Sequence, residues 1–468
     1  MKNFSLKINK TLRSLYCVGA LMAASTAAHS AVVFVEDNGS TLELTGRIQP
    51  EVGTMFTRDS DSQFINGEDN GVMTRVLGTL GIKFRKYINE DMSAIGMASW
   101  HANTERNDYQ TDPEIPTSGY QEGWNVRYAY AGLDFGKDLG KVTFGRNRLG
   151  VYKAMRTTDR FTAQNLRTVA YNNYITRYDD AFWWNRTDGS IQYNYKNLGL
   201  DLVVDYVSGN GQSSRLDHGY GILASYKIKL DNGWSIKPIY SYSYWDGSDS
   251  VAPRGYRYDG FSIPLSAQEG SLGSVYFNQY ANYDDYSQHI LAVQVRNDNY
   301  YLGVSYINQK HNLIPDNYRV SSASFAGSNY GQGPSNINSS GGVTSERCTE
   351  AYTGSSTSLS TVWSCATGRS FTGYEAVVMY KLHALPKLTL KVRKTLTEQD
   401  VEVERQALND AYDVTWNDAL AFEAEYKANR ALKFYASYRN ESFYQGTDLE
   451  SDVTQNDTTW VTGFRYDY

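Results

Sequence analysis

The sequence predicts an all-β fold, a 16-stranded antiparallel transmembrane β-barrel, from three observations. Hydrophobic residues recur with a period of two over many separate segments, as they do in strands that are apolar on one face and polar on the other. The chain is polar on average, with a mean hydropathy of −0.53, yet carries 39 Tyr, 17 Phe and 9 Trp. That aromatic load suits the two interfacial girdles of a membrane barrel, whereas a soluble protein would rarely expose it. Finally, short and long connections alternate along the chain, as in barrels with tight turns at one rim and loops at the other.

Each strand has its own warrant. In the first, near 41–57, Leu42, Leu44, Ile48, Val52 and Phe56 share one parity against Glu43, Thr45, Arg47, Gln49 and Glu51. The second, 72–86, sets Val76, Leu80, Ile82 and Phe84 against Arg75, Thr79, Lys83 and Arg85. Strands follow near 91–104, 124–135, 141–148, 185–196, 198–208, 218–229, 234–246, 286–297, 299–310 and 371–384 on the same rhythm. The next, 387–398, interleaves Leu388, Leu390 and Val392 with Lys387, Lys391 and Arg393, and 418–428 brings Glu423 and Glu425 onto an adjacent face. Balance between these bases and acids is expected, because like charges two residues apart on one face repel. In 431–444, Leu432, Phe434, Ala436 and Tyr438 oppose Lys433, Tyr435, Ser437 and Arg439. The last strand, 457–468, carries Trp460, Thr462, Phe464, Tyr466 and Tyr468 on one face, and closure of the barrel gives that edge a partner. Long connections fall at 105–123, 149–184, 247–285, 311–370 and 399–417. An even strand number of this size leaves a lumen open to water.

The N-terminus reads as a secretory signal over residues 1–30, with Lys2, Lys7, Lys10 and Arg13 before an apolar run from Leu15 to Ala28. Cleavage is expected after Ser30 or Ala31, leaving 31–468 as the barrel. Removing residues 1–30 takes the formal charge from −6 to −10, so the exported chain is acidic and has no electrostatic footprint for nucleic acid. No stretch after residue 31 has the ~18 consecutive apolar residues that a membrane-spanning helix needs. Beyond Cys17, the cysteines are Cys348 and Cys365, both in loop 311–370. In an oxidising periplasm they predict a disulfide, worth ~3 kcal/mol in the chain-entropy description, across a loop otherwise rich in Ser, Gly and Asn and without a packed subdomain. Two thiols with no nearby histidine make an incomplete metal site, and no metal or cofactor is expected.

The stretch Asn125-Val-Arg-Tyr-Ala-Tyr-Ala-Gly-Leu133, followed by Lys141-Val-Thr-Phe-Gly-Arg-Asn147 and Val151-Tyr152, resembles the fourth and fifth strands and third-loop entry of the trimeric general porins of Gram-negative outer membranes. Leu80-Gly-Ile-Lys83 with Ile88-Asn-Glu-Asp91 resembles their second hairpin. The resemblance runs from about residue 41 to 208 and returns in the final strand. It implies an inward-folded third loop, a homotrimer in contact with outer-membrane lipid and lipopolysaccharide, and passage of small hydrophilic solutes and ions by passive diffusion. It also implies that Phe464, Tyr466 and Tyr468 address the chain to the barrel-assembly machinery. The early strands, through Leu42, Leu44, Ile82 and Phe84, are where the trimer contact is expected.

By the same resemblance, Arg47, Arg127 and Arg186 occupy basic positions of the pore constriction, and Arg75 stands in from another height where a third base of the cluster is replaced by Thr79. Asp159 matches an acidic loop residue, and Asp179 and Asp180 add acid further along the loop. The glutamate expected four positions after Asp159 is Ala163, and the usual Pro-Glu-Phe-Gly-Gly stretch is absent. Arg156, Arg160, Arg167 and Arg177 make the same loop basic, which predicts weak or reversed cation preference.

An alternative is a substrate-specific oligosaccharide porin, in which Trp100, Tyr171, Tyr174, Trp183 and Trp184 build a stacking track for sugar rings. Catalysis is not expected, since the five histidines after residue 30 are scattered and no serine sits in a nucleophile motif.

Overall fold

The computed structural model describes residues 31–36, 38–54, 72–103, 124–163, 187–208, 216–247, 261–265, 273–278, 283–313, 319–322, 366–403, 414–445 and 453–468. The signal segment, Cys348, Cys365, Arg186, Asp179 and Asp180 lie outside them.

Sixteen antiparallel strands close into one ring. The first eight are β1 Thr41–Thr54, β2 Val72–Asn89, β3 Met92–Asn103, β4 Trp124–Asp134, β5 Lys141–Asn147, β6 Thr187–Asn197, β7 Leu200–Ser208 and β8 Leu216–Tyr226. The second eight are β9 Ser235–Gly247, β10 Tyr283–Arg296, β11 Tyr300–Leu313, β12 Ala366–Lys381, β13 Leu388–Val403, β14 Val414–Lys427, β15 Leu432–Gln445 and β16 Val453–Asp467. Each pairs with its neighbours in sequence. The ring shuts where β1 pairs with β16, from Arg47 opposite Asp467 to Gly53 opposite Val461.

The parities read from sequence are the two faces of the wall. Ile48, Ile82, Phe84, Val204, Leu291, Val304, Phe422 and Phe434 stand exposed on the outside, while Gln49, Glu51, Asp205, Ser241, Glu375 and Glu423 are buried on the inside. Outward apolar residues have no protein partner, so the hydrophobic effect places them in lipid, and closure leaves no unpaired ladder in the hydrocarbon. Aromatic pairs mark both rims of this band. Trp234, Tyr300 and Tyr380 stack near the short turns, with the last two 4.9 Å apart, and Tyr306 lies 5.4 Å from Tyr374 towards the long loops.

Two features were not in the sequence pattern. A short strand, Ala31–Val35, pairs with residues 41–44 of β1, directly beyond the two backbone bonds (2.8 and 3.0 Å) that join Gly46 to Tyr468. The N-terminal strand therefore continues the line of β16 along β1. Its turn is tied to the wall by Lys86 Nζ, 2.6 Å from Glu36 Oε2, and this bond with that from Asn38 holds the Glu36 carboxyl below its usual range. In addition, Phe261–Leu265, Gly273–Asn278 and Arg319–Ser322 form a separate three-stranded sheet within segments expected to be plain loop.

Strand ends also differ from expectation where polar ladders outrun the apolar band. β12 begins at Ala366 and β13 extends to Val403, pairing Gly368 with Glu402 and Ser370 with Asp400. Hydropathy registers the lipid-facing stretch, whereas backbone pairing continues into water. Among the described residues no helix is long and apolar enough to cross a membrane.

Candidate pore constriction

After β5 the chain turns through α1, Gly150–Met155, and runs along the inner wall as far as Ala163. Its polar backbone is satisfied at each step by a wall residue, which is what permits a non-strand segment there. Gly150 N donates to Asp205 Oδ2 on β7 (2.6 Å), and Lys153 Nζ to Asp201 Oδ1 (2.8 Å). Gln294 Nε2 of β10 donates to Thr157 Oγ1 (3.1 Å), and Tyr301 OH of β11 to the Thr157 carbonyl (2.7 Å). Gly303 lies beneath this point, where a Cβ would come within 2.4 Å of the Thr157 oxygen. Only the absence of a side chain lets the segment approach β11 so closely. Thr158 Oγ1 then donates to Glu375 on β12.

The far end is anchored most firmly. Thr162 N donates to both oxygens of Glu423 on β14 (2.9 Å each), and Ala163 N to Oε2 (3.1 Å). Lys391 Nζ on β13 reaches Glu423 (2.7 Å), Glu425 (2.8 Å) and the Arg160 carbonyl (2.9 Å). From β1, Gln49 Nε2 donates to the Thr162 carbonyl (3.0 Å) and to Tyr435 OH (2.9 Å), and that hydroxyl donates to Glu51 Oε1 (2.6 Å). Phe161 and Ala163 pack with Val377, Ala421, Tyr435 and Val461, an apolar patch on an otherwise polar inner face. Arg393, almost fully buried, places its guanidinium 5.0 Å from the Phe161 ring.

Residues 150–163 therefore line the wall from β6 round to β16 and touch β1, and among the described residues no hydrogen bond ties them to β2 to β5. At the seam of β1 and β16 Arg47 Nε meets Asp467 Oδ1 at 2.8 Å, and Arg465 Nε shares the same carboxylate at 2.7 Å. Tyr128 lies between two guanidiniums, 5.7 Å from Arg127 and 5.5 Å from Arg148, and Arg148 stacks 3.9 Å from Tyr152 of α1.

Arg47 sits on β1 against Asp467 and Arg127 on β4 beside Tyr128, while Asp159 lies just past α1, where its backbone N donates to Met155 O at 3.2 Å. Arg75 corrects the sequence expectation. Its Nε sits 2.6 Å from Glu51 Oε2 with both groups buried, so it braces β1 against β2 inside the wall instead of presenting charge to the opening. Arg148, Arg465, Asp467, Glu51 and Tyr435 were missed. Glu51 and Arg75 are register partners with inward parity, a signal that needs the β1–β2 pairing to be seen. Trp100 pairs with Leu80 and the exposed Val126 on the lipid side, which removes it from any sugar track; Tyr171, Tyr174, Trp183 and Trp184 lie outside the described residues. Among the described residues no group of three or more His, Cys, Asp or Glu could hold a metal ion.

No family model matches the chain. Among curated proteins it is 25% identical over 240 residues to a porin-like protein of Buchnera aphidicola, covering 49% of this chain and 58% of that one. It is 26% identical over 218 residues to the outer membrane porin PhoE of Salmonella typhimurium, covering 44% and 56%. The chain thus spans a little over half the length of the curated relatives it matches. Among solved structures, Salmonella typhi OmpF, in complex with daunomycin, superposes with a TM-score of 0.56 at 16% identity over 93% of this chain and 99% of that one. Vibrio cholerae OmpT gives 0.52 at 11% identity over 94% and 100%. Fold and wall chemistry together define a closed, polar-lined β-barrel of the bacterial outer membrane. In fold and over about half of its sequence the chain is similar to the general porins of Gram-negative bacteria.

Proposed function

We propose that the protein is a passive diffusion channel for small hydrophilic solutes and ions, with residues 150–163 acting as the inward-folded third loop. The observation that carries this reading is the division of the inner wall. Most of the wall is crossed by a segment tied down from β6 round to β1, and Arg47, Arg127 and Arg148 stand around the uncovered remainder. Opposed linings of this kind set a transverse field in a low-dielectric channel, which orients polar solutes and disfavours apolar ones. Among the described residues around it, Arg47, Arg127, Arg148 and Arg465 face Asp159 and Asp467. Asp467 is shared by Arg47 and Arg465, so an excess of positive charge faces the opening and anions are preferred.

Trimer formation through the outer face of the early strands fits this reading, since Leu42 pairs with Phe84 and Leu44 with Ile82 to make a continuous apolar patch. The outward row Phe464, Tyr466 and Tyr468, with Phe434 6.1 Å from Phe464 and Tyr466 stacked 6.2 Å from Tyr468, is the surface offered to lipid, lipopolysaccharide and the assembly machinery.

Planar-bilayer recording across a KCl gradient tests the proposal. Large conductance steps in threes with an anion-leaning reversal potential are expected, and Arg148→Gln combined with Arg47→Gln moves that potential towards the cation side. A folded protein that gives no conductance, or a strongly cation-selective wild type unmoved by these substitutions, overturns it.

A further inference from the structure

Pro50 sits in the middle of β1, where its ring leaves no N–H for a ladder bond. Towards β2 the ladder passes it unbroken, with Pro50 opposite Val76. Towards β16 the pairing holds at Arg47 and Ile48, lapses at Gln49 and Pro50, and resumes from Glu51 to Gly53. The register is the same on both sides of this gap, whereas every other break in a described pairing of the ring carries a register shift. The cause is therefore a missing donor and not a bulge. In this register Pro50 falls opposite Phe464, whose carbonyl loses its ladder bond. Proline within a sheet is confined to strands with a free edge, and β1 has such an edge only until the ring shuts.

Side chains on the inner face span the seam at this height. Gln49 Nε2 donates to Tyr435 OH on β15 (2.9 Å) and to the Thr162 carbonyl (3.0 Å). The Tyr435 hydroxyl passes over Gly463 of β16, where a Cβ would lie 3.0 Å from it, and donates to Glu51 Oε1 on β1 (2.6 Å). Thr162 N in turn donates to Glu423 on β14 (2.9 Å). Phe161 and Ala163 pack on Ala421 of β14, Tyr435 of β15 and Val461 of β16. A continuous brace thus runs from β14 over β15 and β16 to β1, and residues 161–163 form its middle. Gln49, Glu51, Tyr435 and Val461 are all buried, and in that low-dielectric setting each hydrogen bond is electrostatically stronger than at a wet rim.

We infer that residues 161–163 act as a latch on the β1–β16 seam, so that the ring locks only when the inward segment has docked. Before closure β1 and β16 are the two open edges of the sheet, and Pro50 denies any foreign strand a full ladder on β1. Docking of Thr162 beside Gln49 then replaces the absent backbone bond with side-chain bonds that need this chain's own segment. Closure and formation of the constriction become one event, and a shut barrel without its inward segment is disfavoured. The inference concerns the wall alone and does not depend on what passes through the lumen.

Hydrogen–deuterium exchange of the folded full chain in detergent, read peptide by peptide, tests the latch. Gln49→Ala removes the bonds to Thr162 and Tyr435. It is expected to speed exchange about tenfold in peptides covering 47–54 and 460–468, as the loss of two buried hydrogen bonds predicts for local opening. Peptides from β8 and β9, remote from the seam, are expected to stay within about twofold of the wild type. Adding Pro50→Val restores the N–H and is expected to return the seam peptides to within about twofold of the wild type, which general destabilisation would not do. Tyr435→Phe, which withdraws the hydroxyl shared by Gln49 and Glu51, serves in place of Gln49→Ala should that variant fold poorly, as judged by heat-dependent gel mobility. Seam exchange unchanged in the folded single variants, or raised equally in β8 and β9, overturns the inference. So does a folded double variant in which Pro50→Val leaves the seam as fast as before. Both readouts are made without a bilayer, so loss of the channel reading leaves them standing, and a conducting protein with no response to Gln49→Ala keeps the channel and removes the latch.

Discussion

Glu423→Ala is expected to destabilise the barrel by about 3–5 kcal/mol, because it leaves the buried ammonium of Lys391 without one of its two carboxylates. The same oxygens accept from Thr162 N, Ala163 N and Ser437 Oγ, the last at 2.8 Å, so several donors lose their acceptor together. The consequence for residues 156–163 is local: the strongest anchor of their far end is gone, although Phe161 still packs on Val377 and Ala421. Thermal unfolding in detergent reads the first effect, and limited proteolysis within that segment reads the second. Glu423→Gln keeps the shape and one acceptor oxygen, and a smaller loss is expected. A folded Glu423→Ala protein with wild-type melting and unchanged protease resistance would show that the anchor lies elsewhere.

Gly463→Val is expected to cost at least about 3 kcal/mol, at the severe end for overpacking, and to lower the yield of closed barrel. Gly463 stands on β16 opposite Glu51 of β1 and Tyr435 of β15, at the seam where the ring shuts. A Cβ there would lie 2.4 Å from the Pro50 carbonyl oxygen, 3.3 Å from Glu51 Cα and 3.0 Å from Tyr435 OH. The first two atoms are backbone and cannot swing aside, and the third belongs to the Gln49, Glu51 and Tyr435 network that meets Thr162. The fraction migrating as folded barrel on unheated gels measures the effect. Gly78→Ala is the matched control, since its Cβ would meet nothing closer than 4.0 Å and should leave that fraction unchanged. Equal folding of both variants would mean that the seam tolerates separation.

Strand positions were legible because lipid and lumen impose opposite chemistry on alternate residues of a single strand. Ile48 and Gln49, or Val392 and Arg393, announce their faces without any knowledge of neighbours. The assignment of Arg47 and Arg127 to a constriction comes from family resemblance and not from periodicity. Arg75 shows where such reasoning stops. Its inward parity is correct, but its role depends on Glu51, 24 residues earlier in the chain, which cancels its charge inside the wall. Arg148 and Arg465 escaped for the same kind of reason, since one acts through Tyr128 and Tyr152 and the other through Asp467.

The sequence by itself determined the barrel: the number of strands, the face that meets lipid and the alternation of short and long connections. Each of these is set by local pattern, because a period of two needs only the residue and its immediate neighbours. Only the tertiary structure decided which charges are spent on one another and which remain for the lumen. Asp201 paired with Lys153, Glu423 under Thr162 and Asp467 between two arginines are produced by register across strands and by the path of residues 150–163. Electrostatic pairing acts over a few ångströms in space, and on a closed ring those distances are unrelated to separation along the chain.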